Sequence, residues 1–130
     1  MTLARIYLLG MAGFSLLFGL AYLLAPISMV EPAGFGPLSS AATTDVRATY
    51  GGFQLGLGAF LLWAAREEAN HPSALLLIAF SLGAVFLSRL AGLGIDGELT
   101  GFHALGLAIE SGLTLATLLI WRKTTALPAA

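Results

Sequence analysis

The chain has no cysteine and few charges, and each lack excludes something. Without cysteine there are no disulfides, no thiolate zinc site and no cysteine nucleophile, and the redox compartment is left open. Only 10% of the 130 residues are Asp, Glu, Lys or Arg. A soluble domain has roughly a quarter of its residues charged, because its surface must face water. The formal net charge of −1 removes the basic face that nucleic acid requires. Apolar residues, in contrast, make up 58% of the chain, and the mean hydropathy is +0.90. A bilayer resolves the imbalance by presenting hydrocarbon where a globule would meet water.

A spanning helix takes about 20 mostly apolar residues, fixed by ~30 Å of hydrocarbon and 1.5 Å of rise per residue. Four stretches meet that length: residues 6–25, 46–65, 73–92 and 102–121. They are too long for barrel strands, and backbone polar groups cannot go unpaired in lipid, so the expected class is all-α, a four-transmembrane-helix bundle in one domain over residues 1–130. Pro26 follows the first stretch, Pro72 opens the third, and Gly92, Gly94 and Gly97 suggest the turn before the fourth. Asp45 suits the N-cap of the second helix, and Asp96 is read with it as a structural, capping residue. The first stretch is longer than a signal-peptide core and no clear A-x-A site follows it, so it is expected to stay as a span.

Orientation follows the cations. Arg5, Arg66, Arg122 and Lys123 fall at the N-terminus, the middle loop and the C-terminus, whereas the other two loops carry Glu31, Asp45, Asp96 and Glu98. Both termini are therefore expected on the cytoplasmic side.

Polar residues inside a span are expensive, so their first reading is functional. Arg47, Tyr50 and Gln54 fall on one face of the second helix at 100° per residue, and His103, Gly106, Glu110, Thr114 and Thr117 share a face of the fourth. Arg89 lies less than one turn from the outer end of the third stretch. Arg47, Arg89 and His103 are placed near the outer interface, with Gln54 and Glu110 at mid-span. Together they describe a polar cleft open to the outside with a carboxyl group at its floor. Arg47 and Gln54, and again His103 and Glu110, are seven residues apart, like two copies of a parallel repeat. Snorkelling arginines, an interfacial histidine and polar interhelical contacts are the structural alternatives for these residues. Gly92-Leu93-Gly94-Ile95-Asp96-Gly97 has the spacing of a dinucleotide fingerprint but follows a membrane helix instead of a strand, so it is rejected. His103 and Glu110 are about 10 Å apart by helical rise, too far to share an ion, and His71 sits in the inner loop; no metal site and no cofactor is expected. Gly52 with Gly56, and Ala104, Ala108 and Gly112, form small-residue stripes that permit close helix approach, within the chain or in a homo-oligomer or larger complex.

The stretch Asp45-Val46-Arg47-Ala48-Thr49-Tyr50-Gly51-Gly52-Phe53-Gln54-Leu55-Gly56, the segment from Arg89 to Gly97 and the later Glu110 resemble a small bacterial membrane-protein family, a domain of unknown function and distantly DoxX-like. The resemblance implies a four-helix protein of the bacterial inner membrane and brings no activity with it. Three functions are then expected in descending order. The first is binding or transport of a small amphipathic molecule of lipid, quinone or isoprenoid type, through Arg47, Tyr50, Gln54, Arg89, His103 and Glu110. The second is an accessory subunit, and the third an enzyme with Glu110 as general acid or base.

Overall fold

A computed structural model describes residues 1–126. Among these residues the structure is helical with no strand, as the composition predicts. The helices are α1 (Leu3–Leu24), α2 (Pro26–Val30), α3 (Ser40–Val46), α4 (Phe53–Ala64), α5 (His71–Asp96) and α6 (Gly101–Thr125). Three helical stretches, Leu3–Leu24, Glu68–Asp96 and Gly101–Thr125, are long and apolar enough to cross a membrane. The expected second span lies in α3 and α4, which a π-helical turn at Arg47–Gly52 joins into unbroken helix. Large apolar side chains lie open on these helices, among them Leu17, Phe80, Leu87 and Leu115. Such exposure suits hydrocarbon and not water.

The chain packs as two compact units, Arg5–Arg66 and Glu67 onward with Thr2–Ala4. In the first, α1 lies against the π turn and α4 at glycine crossings. A Cβ added at Gly19 would sit 2.9 Å from the Gly51 carbonyl oxygen and from Leu55 N, and one at Gly58 would sit 2.7 Å from Leu16 Cγ. Within the chain these contacts, and not the Gly52 and Gly56 stripe, make the close approach: Gly56 meets nothing within 4 Å and Gly52 meets only the Arg47 oxygen at 3.9 Å. Tyr22, Val30 and Val46 form a small buried cluster covered by Phe18, Met29 and Leu38.

In the second unit α5 and α6 pack along one another through a short connection at residues 97–100. The left-handed Gly97 (φ 74°) ends α5, its N–H donating to the Leu93 carbonyl. Gly92 and Gly94 are helical rather than part of the turn, because the backbone ladder continues to Gly97. The expected caps shift as well. Ser39 Oγ accepts from Ala42 N at 3.2 Å, and Thr100 Oγ1 accepts from His103 N at 3.3 Å. Asp45 is therefore inside α3 and Asp96 is the last residue of α5, and neither caps a helix start. Hydropathy locates the apolar part of a helix, whereas the helix itself extends until a side chain or a left-handed residue stops it.

Candidate functional site

Arg89 points to α6 and meets Glu110. Arg89 Nη2 donates to Glu110 Oε1 at 2.6 Å, while Nε donates to Oε2 at 3.0 Å and to Oε1 at 3.1 Å. A fork that serves both carboxylate oxygens is the strong form of this pair. The Glu110 side chain is 10% exposed and that of Arg89 is 22% exposed. The expectation that Arg89 lies within a turn of its helix end is corrected by the length of α5. With the helix running to Asp96, Arg89 is about two turns inside it, at the level of Glu110. Cation and carboxylate occupy one depth, not two tiers.

Gly106 makes the approach possible. It lies one turn before Glu110 on α6, and a Cβ there would be 2.9 Å from Arg89 Cζ and Nε. Phe102 covers the guanidinium from one side, its ring centroid 5.9 Å from Cζ. Both Nη1 N–H groups and one N–H of Nη2 have no acceptor among the described residues. Sequence reasoning placed Gly106 on the Glu110 face without giving it this role, and it passed over Phe102. The signal for Gly106 was its place four residues before Glu110.

A cavity of about 740 Å³ borders Arg89, lined also by Val85, Ser88, Asp96, Glu98 and His103 among others. The His103 Nδ1 is 3.2 Å from the Glu98 carbonyl oxygen. With that contact made as a donor, Nε2 is left as an acceptor. Donors therefore lie at the Arg89 side, and carboxylates and imidazole at the side near residues 96–103. No group of three His, Asp or Glu side chains that could hold a metal ion occurs among the described residues.

The remaining expected site residues belong to the first unit. Arg47 Nε donates to the Leu23 carbonyl at 3.0 Å, so the cation satisfies a terminal oxygen of α1. Tyr50 stacks on Tyr22, ring centroids 5.2 Å apart. Gln54 is partly buried in α4. The α-helical spacing that put Arg47, Tyr50 and Gln54 on one face does not hold. The Phe53 N–H reaches back to the Ala48 carbonyl, five residues away, so the π turn inserts a residue. Each later side chain is thus rotated by about 100° from its α-helical position. The interval from His103 to Glu110 is regular α-helix, so the two seven-residue intervals are not structural copies. His71, expected in a loop, is the first residue of α5 and is 1% exposed.

The family model of a domain of unknown function, DUF4345, matches residues 3–121. The chain belongs to this family. No curated protein and no solved structure matches it. The family match agrees with the resemblance carried by the residues from Asp45 to Gly56.

Proposed function

We propose that this DUF4345 protein is a four-pass protein of the bacterial inner membrane, with both termini in the cytoplasm. It binds or transports a small amphipathic molecule of lipid, quinone or isoprenoid type beside the Arg89–Glu110 pair. The observation that carries this reading is the cavity of about 740 Å³ lined by Arg89, a volume within the usual range for small-molecule sites. Arg89 and Glu110 cancel each other's charge, yet Arg89 keeps N–H donors unused. A neutral head with carbonyl, hydroxyl or ether oxygens suits those donors better than a full anion, and the apolar flanks such as Val85 and Leu93 take a tail. Glu110 as a general base is disfavoured, since both carboxylate oxygens already accept from one guanidinium. The exposed stripe of Ala104, Ala108 and Gly112 is open to a second copy or a larger complex.

The test is native mass spectrometry after purification in mild detergent. Wild-type protein should carry an amphiphile that Val85→Trp, which puts a bulky ring into the cavity and leaves both partners of the ion pair in the sequence, releases. Equal retention by both proteins would rule out this cavity as the binding site.

A further inference from the structure

The other end of the α5–α6 pair holds a second cavity, of about 320 Å³, to which Thr2, Glu68, His71, Lys123 and Thr124 contribute. Three observations mark it as built for a ligand. His71 is 1% exposed, and its Nε2 is buried with no hydrogen-bond partner. A buried imidazole nitrogen left unpaired is costly, and His71 lines this cavity, whose occupant is the partner at hand. Glu68 and Lys123 border the same space, and neither is in an ion pair among the described residues. Two opposite charges on one cavity, not paired with each other, match a ligand that carries both. Finally, the first turn of α1, at Leu3 and Ala4, and the last turn of α6, at Lys123 and Thr124, both reach the cavity. A helix N-terminus favours an anion and a helix C-terminus a cation.

We propose that this cavity binds the phosphoethanolamine headgroup of a membrane lipid. The phosphate accepts from Lys123 Nζ, from the His71 Nε2–H tautomer and from the N–H groups opening α1. The primary ammonium donates to the Glu68 carboxylate and the final carbonyls of α6. A site at helix ends is where headgroups of a spanning protein lie. The inference rests on the chain being membrane-spanning, and it is independent of what occupies the Arg89 cavity.

The test uses the full chain, delipidated in dodecyl maltoside, with binding read by native mass spectrometry. The probes are dioleoyl phosphatidylethanolamine, the phosphatidylcholine and phosphatidylglycerol with the same chains, and inorganic phosphate. Phosphatidylethanolamine should bind about tenfold tighter than phosphatidylcholine, whose quaternary ammonium has no N–H, this being the loss of one hydrogen bond to a charged group. Glu68→Gln, which removes the charge but keeps an acceptor oxygen, should cut that preference to about threefold or less. Lys123→Gln should weaken phosphatidylethanolamine and phosphatidylglycerol alike by about tenfold, and His71→Leu should do the same. Because His71 is buried, the two exposed-residue variants decide the matter if His71→Leu does not fold. Equal binding of the three lipids, or a preference undiminished by Glu68→Gln, would overturn the proposal. So would competition by inorganic phosphate at the lipid's own concentration, which would make this a plain anion site. Val85→Trp should leave the preference unchanged, so failure here and failure at the Arg89 cavity are read separately.

Discussion

Breaking the Arg89–Glu110 pair is the perturbation that bears most directly on the site. Removing one partner of a buried ion pair costs about 3–5 kcal/mol, because the other charge is left desolvated and alone. Here the Arg89 side chain is 22% exposed, on the edge of a cavity, and that of Glu110 10%, so the loss falls at or just below the bottom of that range. Arg89→Leu and Glu110→Leu should each lose roughly 2–3 kcal/mol. For a chain of this size that is a fall in melting temperature of roughly 6–15 °C in detergent. The double variant replaces both charges with apolar groups of similar volume, and its loss should be smaller than that of either single variant. A double-mutant cycle followed by thermal unfolding measures the difference, with a coupling energy of about 2 kcal/mol or more expected. Lys123→Leu, at an exposed position, should stay within about 0.5 kcal/mol of wild type. If the single variants were as mild as Lys123→Leu and their effects simply added, the pair would not hold the second unit together and Arg89 would be a solvated cation.

Three other outcomes are expected. Gly19→Ala should destabilise by about 1–3 kcal/mol in chemical unfolding, because its Cβ would press on the Gly51 carbonyl, while Gly10→Ala and Gly13→Ala, which meet nothing within 4 Å, should be neutral or slightly stabilising. Equal effects at all three would remove the close crossing. Ser39→Ala and Thr100→Ala should each cost about 1 kcal/mol and speed amide exchange in the first turns of α3 and α6, whereas Asp45→Asn and Asp96→Asn should leave those amides unchanged. Cysteines placed singly at Ser39 and Arg66 in this cysteine-free chain should label from opposite sides of the membrane, with an impermeant thiol reagent outside reaching only position 39. Labelling of position 66 in sealed cells would invert the topology.

The sequence by itself determined the all-helical, membrane-compatible character, since length and hydropathy of a span are local sums that need no partner. It also determined which residues were out of place in hydrocarbon, and Arg89 with Glu110 stood among them before any geometry was available. Helix ends were less legible. α5 outruns its apolar stretch to reach Gly97, so Arg89 appeared shallow when it is at the depth of Glu110. The π turn at Arg47–Gly52 was hidden for a related reason. Sequence periodicity assumes one turn size, while the crossing of Gly19 with Gly51 is a tertiary contact beside that turn. Only the tertiary structure decided that Arg47 serves an α1 carbonyl while Arg89 serves Glu110. Hydrogen bonds between residues 21 or 24 positions apart depend on which helices lie side by side, and no local pattern carries that information.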